Sequence, residues 1–405
     1  MVKHVAIIGA GAAGMSAAEA LSALCKVTVI ERTNTCGGMA TSEKIDSAKF
    51  GASYINDGVQ GCSPQFANTF AVFDTILGFK PADINLQVSF GRDIDEDFWS
   101  NVFPSNVIDK YTADIRKFGR VLKVIKSVEP VFGLIPVDVM LSMFRFSPVC
   151  QVLLPLSASN SLQGFGDVIV YPLVALFMPA RLISLQFEFS PESFLASIPP
   201  MKAFPRLSEV YTTWKNRLQA KGVEFLLETQ AISVLRRRDG VTLSVQSVKN
   251  SNTLHENETL GEIRQLQFDE MILACDANTA LKILGTEATF MEKRVLGNVK
   301  VRKSTIVDTY LYANDDQYLY DVSVTHCDRD YMEKYYQLDF KEELFSSERK
   351  DNPKELEKMD YAKKNFKPLY FIRSYPADKR KIEMSFDLYG AFRFPALSIA
   401  HLMQH

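Results

Sequence analysis

Val5-Ala6-Ile7-Ile8-Gly9-Ala10-Gly11-Ala12-Ala13-Gly14 is the stretch on which the reading of this chain turns. Residues 5–8 are a short continuous apolar run, the kind that forms a strand buried on both faces. The glycines end it, and an alanine-rich segment to Leu24 follows with strong helix propensity. A second apolar run, Val27-Thr28-Val29-Ile30, stops at Glu31. The pattern predicts strand, glycine-rich turn, helix and parallel strand, the opening of a Rossmann-like α/β domain.

Each glycine has a physical task in that frame. Gly9 permits the tight turn, Gly11 lets the backbone approach a pyrophosphate, and Gly14 lets the helix lie close against the strand. Ala13 belongs to the same candidate segment. The unpaired N–H groups and positive dipole end at the start of the helix favour phosphate charge. Glu31 is placed to accept hydrogen bonds from ribose hydroxyls. A lone G-x-G-x-x-G says little, but here strand, helix, second strand and terminal acid all stand where dinucleotide binding requires them.

After Glu31 come Arg32-Thr33-Asn34-Thr35-Cys36-Gly37-Gly38-Met39-Ala40-Thr41 and then Phe50-Gly51-Ala52-Ser53-Tyr54. A nicotinamide domain needs no second glycine pair at that point. FAD does, because its ribityl arm runs past the first crossover and the backbone must approach it again. On these residues the chain resembles the flavin-containing amine oxidase superfamily, which holds monoamine and polyamine oxidases, phytoene desaturases and flavin-dependent fatty-acid isomerases. The resemblance implies that Arg32, Gly37, Gly38, Met39, Gly51, Ala52, Ser53 and Tyr54 also bind FAD. It implies further that a backbone group near Ile232, after Leu227-Glu228-Thr229, meets the adenine. By the same resemblance, the strand ending at Ala274 packs on the cofactor domain. The cysteine that some amine oxidases use for covalent attachment has no counterpart, so FAD is expected to be non-covalent.

Composition narrows the rest. Of 405 residues, 47% are hydrophobic, enough for a large core and more than one lobe. A net charge of −2 gives no basic stripe for nucleic acid. The histidines at 4, 255, 326, 401 and 405 lack metal-ligand spacing. The cysteines at 25, 36, 62, 150, 275 and 327 form no C-x-x-C, which reads as free, mostly buried thiols in a reduced compartment. The first strand begins too early to leave room for a leader, so a cytoplasmic enzyme is expected.

Along the chain, Phe66, Phe70, Phe73 and Leu77 predict a helix over 65–77 with its aromatics in the core. Further helices are expected over 107–128 and 137–146. Residues 149–156 and 168–178 are nearly free of charge, too short for a membrane span and interrupted by Pro155, Pro172 and Pro179. The wall of an apolar substrate tunnel and plain helical core both suit them, and a monotopic membrane contact that loads a lipid-like substrate is a third reading. Residues 157–164 read as a loop.

Beyond Pro199 the pattern predicts a helix over 209–220, a strand over 223–227, a hairpin of 231–235 with 241–248, a solvated insert over 250–262 and a strand over 268–276. Strands are expected over 295–310 and 381–389, with a charged helical stretch over 329–367 between them. The amine oxidases of this resemblance carry a lysine that holds a water at the flavin N5. Lys300, Arg302 and Lys303 lie in a comparable place, where a surface ion-pair role is the other reading.

The fold implied is α/β: a Rossmann-like FAD-binding domain from 1–90 and 201–290, with a discontinuous α+β substrate-binding domain from 91–200 and 291–405. No nucleophile–base pair, G-x-S-x-G or H-E-x-x-H occurs, which suits flavin chemistry with its small demand for protein acid–base groups. No catalytic residue is assigned. The activity expected is FAD-dependent hydride abstraction from a small apolar amine, lipid-like or terpenoid substrate. Residues 51–54 and 204–208 are expected nearest the flavin ring. A redox-neutral fatty-acid isomerase is an alternative. The late glycine-aspartate-type flavin motif of the superfamily is missing before His405, so a truncated, inactive FAD-binding protein is another.

Overall fold

A computed structural model describes most of residues 2–90, parts of 98–145, most of 201–297 except 250–258, and most of 323–387. The chain enters through β1 (His4–Ile8), turns into α1 (Ala12–Leu21) and returns as β2 (Lys26–Ile30). A small hairpin follows, β3 (Ser42–Lys44) with β4 (Tyr54–Asn56), and then β5 (Ala82–Ile84), β6 (Val88–Phe90) and β7 (Trp99–Ser100). Past residue 200 come β8 (Met201–Ala203), α2 (Leu207–Ala220), β9 (Glu224–Leu226), β10 (Thr229–Arg237), β11 (Gly240–Lys249), β12 (Thr259–Phe268) and β13 (Glu270–Leu273). The remaining named elements are α3 (Ala277–Leu284), α4 (Phe290–Leu296), β14 (Ser323–His326), α5 (Arg329–Tyr335), α6 (Pro353–Asn365), β15 (Tyr370–Tyr375) and β16 (Asp378–Asp387).

The central sheet has the order β13-β1-β2-β9, and all its pairings are parallel. Because side chains alternate along a strand, β1 and β2 feed two cores at once. Ile7 and Val29 join Met15, Ala18, Val210, Tyr211, Trp214 and Leu218 beneath α1 and α2. Ala6, Ile8 and Ile30 face the other way, against Val234, Leu243, Val245, Ile283 and Leu284. Both faces are covered, which is why these strands read as unbroken apolar runs. α2 shows its buried face at helical spacing, through Leu207, Val210, Tyr211, Trp214 and Leu218. Trp214 donates its indole N–H to Glu19 at 3.0 Å and so ties α2 to α1.

The antiparallel sheet β10-β11-β12 packs over the second core. A five-stranded sheet of order β14-β16-β15-β6-β7 joins residues 88–100 to 323–387. Beside it Phe98, Phe103, Leu344, Phe345 and Phe366 form an aromatic core of their own. The fold is therefore α/β, with a parallel Rossmann-like sheet and a second, mixed sheet built from distant segments.

Several expectations need correction. The helix over 65–77 starts at Ala67 and continues as a π-helical turn from Ala71 to Ile76. Of its aromatics Phe73 is buried, whereas Phe66 stands at the helix N-cap, 48% exposed. Residues 259–262 are not loop but the first part of β12, held by pairing to β11 even though Leu260, Gly261 and Glu262 are exposed. Val295 and Leu296 are helical rather than extended, because Thr289 and Glu292 form a capping box that starts α4. Phe268 ends β12, and the strand that packs on β1 begins at Glu270. α1 stops at Leu21 instead of Leu24.

The described positions within 106–127 are helical, as are those at 139, 142 and 143. The helices Arg329–Tyr335 and Pro353–Asn365 and the strand Asp378–Asp387 fall where charge and pattern place them. The apolar blocks at 149–178, their loop at 157–164, and Lys300, Arg302 and Lys303 lie outside the described residues. Among the described residues, no helix is long and apolar enough to cross a membrane.

Candidate functional site

The glycine-rich turn sits between the end of β1 and the first turn of α1. Gly9 has φ +105°, and a Cβ there would lie 2.6 Å from the Ala274 carbonyl oxygen. At Gly14 a Cβ would lie 1.8 Å from the Gly9 carbonyl oxygen. Those two glycines are demanded by the chain's own packing. Gly11 is different. Its backbone is extended in an ordinary region, φ −74° and ψ −173°, and the nearest atom to an added Cβ is the Gly38 Cα at 3.8 Å. Among the described residues, nothing requires a glycine at this position.

Gly11 is the N-cap of α1, with no side-chain cap and no acidic residue in the first turn. The N–H groups of that turn, including that of the exposed Ala13, have no partner within the helix. The second glycine pair lies directly against the first. Gly37 donates its N–H to the Ala10 carbonyl at 2.9 Å and forms a parallel bridge with Gly11. Gly37 and Gly38 have φ +130° and +58°, and a Cβ on Gly38 would come 3.1 Å from the Gly11 Cα. Two glycine motifs some twenty-five positions apart thus make one cradle that side chains would fill. The residues present fit the pyrophosphate of a dinucleotide.

Glu31 closes this cradle from below. Its Oε2 accepts the Ala10 N–H at 2.7 Å, and its Oε1 accepts the Thr33 N–H and hydroxyl at 2.9 and 3.0 Å. The next backbone layer comes from β9 and its turn: Glu31 N–H donates to Leu226 and Thr229 N–H to Glu31, both at 2.9 Å. Glu228 between them takes φ +47°. Ile232 is the residue at which the register of β10 on β11 shifts, so no residue opposes it across the pair. Ala274 follows β13 and donates its N–H to Ile8 at 2.8 Å. Arg32 is exposed on the loop after β2, and Met39 is 79% exposed beside the second glycine pair.

Ser53 and Tyr54 lead into β4 and meet the start of α2, while Gly51 and Ala52 lie outside the described residues. The Tyr54 hydroxyl accepts the Arg206 N–H at 3.1 Å, and the Arg206 guanidinium lies 4.4 Å from the centre of the Tyr54 ring. Arg206 also reaches Ser53 Oγ at 3.4 Å. Five positions along, Tyr211 packs its ring against Gly37. At 1.5 Å per residue, the two anchor points Arg206 and Tyr211 stand about 7–8 Å apart along one helix. The structure therefore joins the segments around 53–54 and 204–208, which sequence reasoning placed near one ring.

Asn56 is a residue that sequence reasoning missed. It is buried, and its Oδ1 accepts Ser42 Oγ–H at 2.7 Å and the Leu207 N–H at 3.4 Å. Ser42 Oγ in turn accepts the Ser208 N–H at 3.2 Å. The hairpin β3–β4 thereby caps α2 from outside, in place of a cap from the helix's own N-cap residue. Nothing local in the sequence marks Asn56, since its helix partner lies 151 positions away.

Burial sets the electrostatics of the flanks. It pushes the Cys36 thiol up to about 11, with Glu31 adding to it and Lys215 opposing. Cys275 is raised to about 11 by burial, then by Asp276 and Glu31, and burial lifts Tyr211 to about 12. All three stay protonated at neutral pH, so neither thiol is a nucleophile there. Cys25, Cys36, Cys62 and Cys275 are free, with Cys62 fully buried and the others half-buried; Cys150 and Cys327 lie outside the described residues. Among the described residues no group of His, Cys, Asp and Glu could hold a metal ion.

Comparison with known proteins gives a domain match and a fold. The NAD(P)-binding Rossmann-like domain family matches residues 7–74. No curated protein sequence matches the chain. Among solved structures, the cyclohexylamine oxidase from Brevibacterium oxydans IH-35A superposes with a TM-score of 0.50 at 17% identity, over 74% of this chain and 63% of that one. A putrescine oxidase aligns at a TM-score of 0.46 and 16% identity, over 70% and 60%. A CLA-producing fatty acid isomerase from P. acnes aligns at 0.47 and 16%, over 73% and 63%. In each case the chain spans less than two thirds of the solved protein's length. Residues 7–74 thus match an NAD(P)-binding Rossmann-like domain, as the glycines at 9, 11 and 14 imply, and the chain shares its fold with a cyclohexylamine oxidase.

Proposed function

We propose that this chain binds FAD non-covalently and is an FAD-dependent oxidoreductase acting on a small apolar amine or a lipid- or terpenoid-like molecule. The observation that carries the reading is Gly11. The chain's own packing leaves its Cβ position open, at an uncapped helix start and against a second glycine pair. A backbone so bared is explained by a ligand that must come close to it. The shared fold with a cyclohexylamine oxidase supports an amine with an apolar body as the substrate class to try first.

In this reading the N–H groups at the start of α1 hold the pyrophosphate, and the Glu31 carboxylate orients the adenosine ribose. Gly37 and Gly38 pass the ribityl arm, and the backbone at Ile232 meets the adenine. Bound FAD supplies the hydride acceptor. Ser53, Tyr54 and Arg206 form the wall nearest the ring, and the apolar core around Phe73, Phe204 and Tyr211 excludes water behind it. Residues 1–90 and 201–290 form the cofactor domain, and 91–200 with 291–405 form the substrate domain.

The test is a visible spectrum of the purified chain after incubation with FAD and desalting, repeated on the supernatant of acid-precipitated protein. A flavin spectrum that moves to the supernatant is expected. Anaerobic bleaching by cyclohexylamine-like amines would then establish the oxidative half-reaction, and peroxide formation would set it apart from a redox-neutral isomerisation. A chain that stays colourless at saturating FAD would overturn the reading.

A further inference from the structure

β12 is the outer strand of the sheet β10-β11-β12, and among the described residues no other strand pairs with its free side. Every residue from 260 to 265 is exposed, with Leu260 at 54% and Ile263 at 62%. A free strand edge offers a row of backbone donors and acceptors to any passing chain, and proteins commonly blunt it with charges that repel a second copy. Here the two charges at the centre of the edge have opposite sign. Glu262 and Arg264 flank Ile263.

We propose that two copies of this chain associate by pairing their β12 edges antiparallel about a two-fold axis at Ile263. In that register Ile263 faces Ile263, and Glu262 of each copy stands opposite Arg264 of the other. The symmetry makes both charge pairs at once, and opposite charges directly across a strand pair are favourable. The register is selective. Moving the axis one residue either way sets Glu262 or Arg264 against its own copy, where like charges repel. A bulge places Gly261 and Glu262 opposite Ser247 on β11 and adds twist at one end of the strand. The contact is therefore centred on Ile263 and its two charged neighbours, and such a small interface gives a weak, concentration-dependent dimer.

Sedimentation of the full chain across about 1–100 µM tests this, a range set by the affinity of small interfaces. Wild-type protein is expected to pass from monomer to dimer, less readily at high salt. Glu262→Arg and Arg264→Glu, each at an exposed side chain, should keep their melting temperature and lose at least about tenfold in self-affinity. The double variant Glu262→Arg/Arg264→Glu restores both pairs with the signs exchanged and should regain the dimer. Wild-type protein that stays monomeric throughout, a dimer indifferent to the single variants, or a double variant that fails to recover would each overturn the proposal.

Discussion

The Ala10 amide donates to Glu31 Oε2 at 2.7 Å, so the acid at the end of β2 holds the turn that follows β1. Glu31 accepts on both oxygens. Glu31→Gln would turn one of them into a donor facing an N–H. A loss of about 1–3 kcal/mol is expected in the cofactor-free protein. Urea unfolding without added flavin would show it, and an unchanged midpoint would mean that this carboxylate serves a ligand only.

Gly11 and Gly14 should separate packing from binding. Gly11→Ala meets no close contact, so its stability should fall by about 1 kcal/mol or less, the ordinary difference at an N-cap. FAD retention should be lost. Gly14→Ala drives a methyl into the Gly9 carbonyl and should cost at least about 3 kcal/mol, with or without cofactor. Thermal melts beside flavin absorbance distinguish the pair. A Gly11→Ala protein that keeps its flavin would remove the main support for the proposed site.

Acid should release a contact between β10 and α4. Arg236 donates to both oxygens of Glu292, at 3.2 and 2.9 Å, and Thr289 N–H adds a third bond at 2.8 Å. The hydrogen bonds from Arg236, then that from Thr289, hold the Glu292 carboxyl at about 2, below its ordinary 4.5. The folded value lies below the unfolded one, so this stabilisation is complete above about pH 4.5 and fades as pH falls toward 2. Glu292→Gln should therefore lower the urea midpoint at pH 6 and converge with wild type near pH 2. Parallel curves at both pH values would contradict the assignment.

Asn56 should act as a structural latch for the segment proposed to wall the flavin. Asn56→Ala leaves the Leu207 N–H and the Ser42 hydroxyl without their acceptor, at a cost of about 1–3 kcal/mol. The start of α2 should loosen with it. Faster amide exchange at Leu207 and Ser208, with the remainder of α2 unchanged, is the outcome to look for.

What the sequence showed, and what it hid, follows from range. β1, α1 and β2 are neighbours in chain order, so the run Val5-Ala6-Ile7-Ile8, the three glycines and Glu31 state their roles within about thirty residues. Gly37 and Gly38 are nearly as local, and their task as a second close approach to the ligand could be read from the second motif, whereas their place against Gly11 is seen in the fold. The sheet β14-β16-β15-β6-β7 could not be read in that way, because Ser100 and Ser323 bound a gap that no short-range pattern spans. β12 was hidden at its start for another reason. An exposed edge strand carries neither an apolar run nor alternation, so Thr259 to Glu262 read as a loop. α4 is the opposite case: Thr289-x-x-Glu292 is a helix-start signal, and the apolar residues at 295–296 belong to the helix it starts.

The parallel sheet also sets a timetable for synthesis. The Ala274 carbonyl occupies the place that a Cβ on Gly9 would need, and β13 covers the flank of β1 that β2 leaves open. About 265 positions separate Gly9 from Ala274. At about 5–20 residues per second, the first strand emerges on the order of ten to fifty seconds before the strand that closes its far side. During that interval the edge of β1 is bare and the cradle is open. The nascent chain must therefore be kept from its neighbours on the ribosome, and slow codons after β2 would lengthen the exposure while those after β13 would not.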